Sequence, residues 1–315
     1  SALFAQWQLR NNGLPSAYIG AIDALDQNYA VAASGSIYYT TDGGMSWTSI
    51  YTGLTHDITM VNATTILAVT DSTILKTTNA VANWQIVFTR PQQQGMFNYI
   101  KSFGNEIVAM TDCNNQLPGS RAGIYRSSDT GTTWTQVNQN YLQDCWSMDV
   151  WRKIDFGTAQ RGIFFYSITG PAQRSVARSD DGGINWNTSY LGDNNYIHSL
   201  RMYDGNYGIG AGNDASGGAV FVTKDGGATW QKYVKSMNIQ SAVAFVKNSP
   251  AEVFIGCSGQ LWYSADSGKT WSRQSFPNTG IKDIVFTNQS NGWLCTSNGD
   301  VYWTDNKGTP VVSAK

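Results

Sequence analysis

The sequence predicts an all-β chain: a seven-bladed β-propeller of four-stranded antiparallel blades, its ring closed by the N-terminal strand. Three observations lead there. A short polar motif recurs seven times in 315 residues. Short apolar or alternating runs surround each copy, three before it and one after it. The composition is rich in turn formers and aromatics, with 32 Gly, 13% aromatic and only 14% charged residues. A repeat of this length must be recognised before any local reading, because it decides the fold.

The motif is Ser/Thr-x-Asp-x-Gly-x-x-Trp. It stands at Thr40, Asp42, Gly44 and Trp47, and again at Ser127, Asp129, Gly131 and Trp134. Further copies fall at Ser179–Trp186 around Asp181, at Thr223–Trp230 around Asp225, and at Ser264–Trp271 around Asp266. Two are worn: Thr77, Asn79 and Trp84 with Val81 in place of Gly, and Thr304, Asn306 and Gly308 with no Trp after them. An Asp or Asn side chain accepts hydrogen bonds from backbone N–H groups just ahead of it. Gly serves where φ is positive. The motif therefore reads as a hairpin corner, and its seven Asp/Asn residues as structural. A Ca²⁺ loop needs several oxygen donors at short spacing, which these copies lack.

Repeat one shows the blade best. Residues 19–25, 29–33, 36–41 and 47–51 read as four successive strands, and four antiparallel strands repeated radially make a propeller. The seven blades are expected at about 16–52, 54–90, 97–139, 146–190, 196–236, 239–276 and 280–311, in a single domain over 1–315. The seventh lacks a fourth strand. Phe4–Leu9, with Trp7, matches the strands that begin at Trp47 and Trp134, so residues 4–10 are expected to complete blade seven and hide its open edge. Residues 310–312 are the competing supplier of that strand.

The motif resembles the Asp-box (BNR) repeat, and the chain resembles the photosystem II assembly/stability factor-like family, single propellers of similar length. Sialidases, xyloglucan hydrolases and sorting receptors share the repeat. The resemblance implies the propeller fold, and an assembly or scaffold role outside the cytoplasm. It says little about ligand, because fold alone does not give function.

Loop length indicates where a ligand would sit. The strand 2–3 loops of blades one, two, six and seven are minimal. Those of blades three, four and five are long: 112–122, 169–174 and 212–218. The connections 91–95 and 138–145 are long as well, on the same face. Insertions on one face of a repeat protein commonly mark its binding face. Eight of the ten Arg lie between 90 and 201: Arg90, Arg121, Arg126, Arg152, Arg161, Arg174, Arg178 and Arg201. Arg forks take carboxylate or phosphate, and aromatic rings stack on sugars or cations. Arg121, Tyr141, Trp146, Trp151, Arg152, Arg174, His198 and Arg201 are therefore the candidate binding residues. The alternative is that single Arg residues pair with Asp and single Trp residues fill blade interfaces. Cys113 and Cys145 lie in long loops flanking blade three, where a disulfide would pin both. Cys257 and Cys295 fall in second strands, where disulfide geometry is harder to meet.

The first strands should ring the channel, presenting Gly20, His56-Asp57, Asn98, Asp149, His198-Ser199, Gln240-Ser241 and Lys282-Asp283. His56 beside Asp57 has the composition of an acid–base pair, although such pairs are more often structural. Two His in different blades make a poor metal site, so no metal and no cofactor are expected.

A sialidase-like enzyme needs a Tyr–Glu pair, and the chain has only Glu106 and Glu252, both in strand 1–2 turns away from the Arg cluster. A glycosidase using two Asp remains the alternative, with Asp144, Asp149 and Asp155 as its candidates. The preferred reading is a non-catalytic propeller that binds a protein segment or glycan through the Arg/aromatic face of blades three to five. Net charge is −1, which gives no steering toward nucleic acid. No stretch of about 20 apolar residues suits membrane insertion. The start at Ser1-Ala2-Leu3 is expected for a mature form from which an export signal has been removed, hence an extracellular or periplasmic monomer.

Overall fold

The computed structural model describes residues 7–80, 83–112, 122–137, 154–168, 173–192, 194–234 and 240–308. Every regular element among them is a strand, and no helix is long and apolar enough to cross a membrane. The chain divides into two compact units. One holds residues 1–53 and 238–315, with blades one, six and seven; the other holds residues 54–237, with blades two to five.

In the second unit, each blade is a separate four-stranded antiparallel sheet with its strands in sequence order. Blade three, for example, runs Phe97–Phe103, Glu106–Thr111, Ile124–Ser127 and Thr135–Gln136. Apolar side chains alternate to both faces of each sheet and fill the spaces between neighbouring blades. Leu67, Val69 and Ile74 of blade two pack with Phe97, Ile100 and Ile107 of blade three. Tyr99, Val108 and Met110 of blade three pack with Phe156, Phe164 and Trp186 of blade four. Burial on both faces explains strands that read as continuous apolar runs, such as Ile66–Val69.

In the first unit, blade one has the predicted strands at Ala21–Ala24, Ala30–Ala33, Ser36–Thr40 and Thr48–Thr52. Blades six and seven are continuous. Strand Ser249–Ser264 forms two legs of blade six, and Ser272–Phe286 passes from blade six into blade seven. Strand Gln8–Leu9 pairs antiparallel with Val301–Thr304, setting Gln8 opposite Trp303 and Leu9 opposite Tyr302. The N-terminal strand thus completes blade seven, as the sequence predicts; residues 4–6 and 310–312 lie outside the described residues.

Trp7 is the residue that makes this closure specific. It is buried among Phe254, Phe286 and Leu294, with edge-on contacts to Phe254 and Phe286. A Cβ placed on Gly308 would lie 2.2 Å from its Nε1. The worn seventh motif, which lacks its own Trp, therefore receives one from the other end of the chain.

The motif forms the predicted corner. In the first copy Thr40 Oγ1 donates to Asp42 Oδ1 (2.8 Å) and accepts from Gly44 N (2.9 Å). Asp42 also accepts from Ser46 N (2.9 Å) and Ser46 Oγ (2.6 Å). The same bonds recur around Asp129, Asp181, Asp225 and Asp266. Asn79 and Asn306 keep the hydroxyl bond, each at 2.9 Å. The rings fold back over the loop: Trp134, Trp186, Trp230 and Trp271 each donate from Nε1 to the motif Gly carbonyl at 2.9–3.2 Å. Both residues after the Asp are left-handed. Gly43 and Gly44 have φ of 73° and 76°, and Thr130 and Ser267 hold the first position without being Gly. That strain is sustained by the bonds around it.

Candidate functional site

The two ends of the blades differ in chemistry. In all seven copies the residue after the Asp/Asn donates its N–H to a carbonyl in the strand 1–2 turn of the same blade: Gly43 to Asn28, Ala80 to Thr64, Thr130 to Asn105, Gly182 to Gln160, Gly226 to Asn206, Ser267 to Ala251 and Lys307 to Ser290. The motif corners and the strand 1–2 turns therefore share one end, the turn end. The strand 2–3 loops and blade connections occupy the other, the loop end.

Polar side chains at the turn end are committed to structure. Hydrogen bonds from Thr270, first its hydroxyl and then its N–H, hold Asp266 down at about 2. Backbone and hydroxyl bonds from Thr133 likewise hold Asp129 well below the usual carboxylate range. Arg126 pairs with Glu106 (2.6 Å) and donates to Ala159 O (2.6 Å). Arg161 and Arg178 both pair with Asp180, at 2.9 and 2.5 Å. Three of the eight clustered Arg thus stitch blades together here. Glu252 does meet a tyrosine, Tyr263, but Lys307 caps the same carboxylate at 2.6 Å and Ser249 donates to its other oxygen at 2.7 Å. Burial, then the bond to Glu252, raises the Tyr263 hydroxyl well above its ordinary value, the reverse of an activated nucleophile.

Two candidate residues lie nearer this end than the loop end. Asp155 is 1% exposed. Its Oδ1 accepts from Tyr99 Oη (3.1 Å) and Lys101 Nζ (2.8 Å), and its Oδ2 from Met202 N (2.7 Å). Both oxygens are occupied in clamping blades three, four and five. Arg201 faces Ile209, one rung before the strand 1–2 turn, and its charge acts on the Tyr99 hydroxyl. Strand register places it away from the long loops.

The loop end is marked by a repeated backbone device. The inner strand carries a bulge in blades three, five, six and seven, with Asn98, His198, Ser241 and Lys282 as the extra residues. In blade two, His56 N donates to Val69 O, the carbonyl of the residue that pairs with Asp57. Bulges re-aim the chain locally; of the positions expected to face the channel, these four bulge residues are displaced, whereas Asp57, Ser199, Gln240 and Asp283 stay in register. Both His find a partner fifteen residues on: His56 Nε2 lies 2.5 Å from Asp71 Oδ1, and His198 Nε2 lies 2.6 Å from Asn213 Oδ1. The acid beside His56 is therefore Asp71. Asp57, its sequence neighbour, turns away and accepts from Ile100 N at 2.9 Å. The His198 ring also packs on Tyr196 (4.6 Å between centroids), which stands edge-on to Phe165.

Between blades two and three, several polar groups converge that sequence reading did not collect. Arg90 Nε donates to Asp71 O (2.9 Å) and its Nη1 to Pro91 O (3.1 Å). Asp112 is 7% exposed, and its backbone pairs with Met96 and Gly95. Burial pushes its carboxyl up to about 6, against the pull of the Met96 N–H and the charges of Arg90 and His56. Gln94 ties the connection down, accepting from Thr111 Oγ1 and Tyr125 Oη and donating to Gln136. The sequence signals for this cluster were scattered: Arg90 among the clustered Arg, the long connection 91–95, His56 at the channel, and Asp112 at the root of the longest loop.

Arg121, Tyr141, Trp146, Trp151, Arg152, Asp144, Asp149, Cys113 and Cys145 lie outside the described residues, as does the side chain of Arg174. Cys257 and Cys295 are buried thiols rather than a disulfide, and burial pushes Cys257 up to about 12. Among the described residues, no cluster of His, Cys, Asp or Glu could hold a metal ion.

No family model matches the chain. The fold is similar to that of YCF48 bound to D1 peptide, with TM-score 0.74, 18% identity, and coverage of 96% of this chain and 98% of that one. It is also similar to a GH74 enzyme from Niastella koreensis, with TM-score 0.71, 14% identity, and coverage of 96% of this chain but 54% of that one. In sequence, a Paenibacillus xyloglucanase is 26% identical over 240 residues, 64% of this chain and 23% of that protein. The chain thus spans under a quarter of the length of this curated relative. These likenesses identify a β-propeller resembling the YCF48-like fold.

Proposed function

We propose that the chain is a non-catalytic propeller that binds an extended protein segment, or a glycan, through the loop end of blades three to five, in the manner of an assembly factor. The observation that carries this reading is the repeated inner-strand bulge, which displaces Asn98 and His198 at the loop end of blades three and five; the long loop expected at 212–218 is instead paired strand up to a two-residue turn between Asp214 and Gly217. At the other end, polar groups are spent on holding blades together. Likeness to a propeller solved with a peptide supports the same reading. Arg121, Tyr141, Trp146, Trp151, Arg152, Arg174 and His198 are the proposed contact residues, and the chain is proposed to act as a monomer outside the cytoplasm. Its motif corners are proposed to be Asp-boxes of the BNR type.

The test is binding of wild type and an Arg152→Ala/Arg174→Ala variant to a peptide array and a glycan array. The variant is expected to stay folded and lose at least tenfold in affinity, a ~1.4 kcal/mol effect. Unchanged binding removes the site.

The similarity to a xyloglucanase favours a second reading, glycoside hydrolysis at the same loop end. Asp155 is occupied as a clamp, so Asp144 and Asp149 would have to serve. Hydrolysis of xyloglucan by wild type, abolished in Asp149→Ala, would establish it. Lack of turnover across a panel of β-glucans would exclude it.

A further inference from the structure

We propose that Asp112 and Asn98, at the loop end of blade three beside the His56–Asp71 pair, form a subsite for a positively charged ammonium or guanidinium group, such as a lysine or arginine side chain of a bound segment. This deepens the binding function proposed above and rests on it for the identity of the ligand. Two acceptors at the loop end of one strand pair lack the partner their burial calls for. Asp112 is 7% exposed, yet among the described residues no ion pair reaches its carboxylate, which takes hydrogen bonds from the backbone N–H groups of Met96 and of Asp112 itself. Asn98 is 9% exposed, and its Oδ1 is buried with no hydrogen-bond partner among the described residues. Phe97 pairs with Thr111 and Tyr99 with Met110, so bulge residue Asn98 and Asp112 stand within two rungs of each other.

The charged groups facing Asp112 come from two other elements. His56 and Asp71 belong to blade two, and Arg90 to the connection into blade three. Arg90 acts on Asp112 through space rather than by an ion pair, because its Nε and Nη1 are held on the carbonyls of Asp71 and Pro91. The Asp71 side chain is 58% exposed. The result is a surplus of acceptors. A buried carboxylate without a counter-ion is costly to keep, and groups shifted in this way cluster at functional sites. A ligand cation would supply both the missing charge to Asp112 and the missing donor to Asn98. Ionisation of Asp112 falls within the range its burial sets, so cation affinity rises with pH.

The experiment is titration of the full chain with n-butylammonium chloride, followed by ¹⁵N shifts of the Asn98 side-chain amide and of the His56 ring, with sodium butyrate as control. Saturable shifts are expected with the amine and not with butyrate, with affinity rising about tenfold from pH 5 to pH 7 as Asp112 ionises. Asp112→Asn should abolish binding and the pH dependence. Asn98→Leu, which keeps the carboxylate, should weaken binding about fivefold and tests the site independently of Asp112. Absence of saturable shifts, or unchanged affinity in Asn98→Leu, overturns the site. A chain that binds butylammonium here but captures no peptide or glycan keeps this subsite and loses the broader reading.

Discussion

Asp112→Asn should stabilise the protein at neutral pH. The Asp112 carboxyl is pushed from 3.8 up to about 6 by burial. An acid whose pKa is raised on folding is a liability wherever it must be ionised. The folded state holds its proton more tightly than the unfolded chain, so the penalty is fully present above about pH 7. It shrinks as pH falls through 6 and vanishes near 4. At about 1.4 kcal/mol per unit the ceiling is about 3 kcal/mol. Asn removes the charge and keeps an acceptor for the Met96 N–H. With about 2 cal/mol/K per residue of unfolding entropy, 3 kcal/mol corresponds to a Tm rise of about 4 °C for a chain of this length. Calorimetry of both proteins between pH 4 and pH 8 would measure it. The expected result is a gain of about 2–3 kcal/mol at pH 8 that decays to nothing at pH 4. A variant equally stable at every pH, or less stable at pH 8, would refute the account of Asp112 as a buried charge without a counter-ion.

Asp266→Ala removes the acceptor for Ser264 Oγ, Thr270 N and Thr270 Oγ1 and should cost about 1–3 kcal/mol. Because its folded pKa lies near 2, the advantage of wild type over this variant should fade in acid denaturation as pH drops from about 4 to 2. Trp7→Ala empties the aromatic seam at the closure and should cost about 3–5 kcal/mol, read as a drop in Tm. Asp155→Ala leaves Lys101 with only the Phe156 carbonyl and no counter-charge, leaves the Met202 N–H without its acceptor, and should destabilise by about 3 kcal/mol, seen as early denaturant unfolding. Full stability in this last variant would reopen Asp155 as a functional group.

The fold was legible because the motif is local. The side-chain bonds that shape the corner join residues within four positions, as Thr40, Asp42, Gly44 and Ser46 show. Spacing alone therefore carries the geometry, and the number of corners carries the number of blades. Closure by Trp7 was legible for a related reason: the seventh copy lacks a Trp, and the N-terminus has one followed by a strand pattern. The site was less legible because its contacts are long-range. His56 meets Asp71 rather than adjacent Asp57, which accepts instead from Ile100 N of blade three. Composition grouped Arg126, Arg161 and Arg178 with the Arg of the long loops. The fold sends these three to the turn end, where Glu106 and Asp180 await them. Sequence counts side chains along the chain, and a blade sorts them by strand direction, which alternates.

That alternation explains why the motif says little about function. A corner needs one hydroxyl and one acceptor two residues on, and Asn meets the requirement as well as Asp, as Asn79 and Asn306 show with hydroxyl bonds of 2.9 Å. Its charge is therefore dispensable to geometry, and its oxygens are filled by local donors. A group in that state has no valence left for a ligand. The loop end differs in the quantity that matters for binding, since among the described residues Asn98 Oδ1 is buried without a donor and no ion pair reaches the buried Asp112 carboxylate. Burial without satisfaction is destabilising on its own, so it persists where something else supplies the missing partner. On that argument, the strand 2–3 loops and the bulged inner strands, rather than the seven conspicuous carboxamide and carboxylate corners, are where substitutions should alter what the propeller binds while leaving its blades intact.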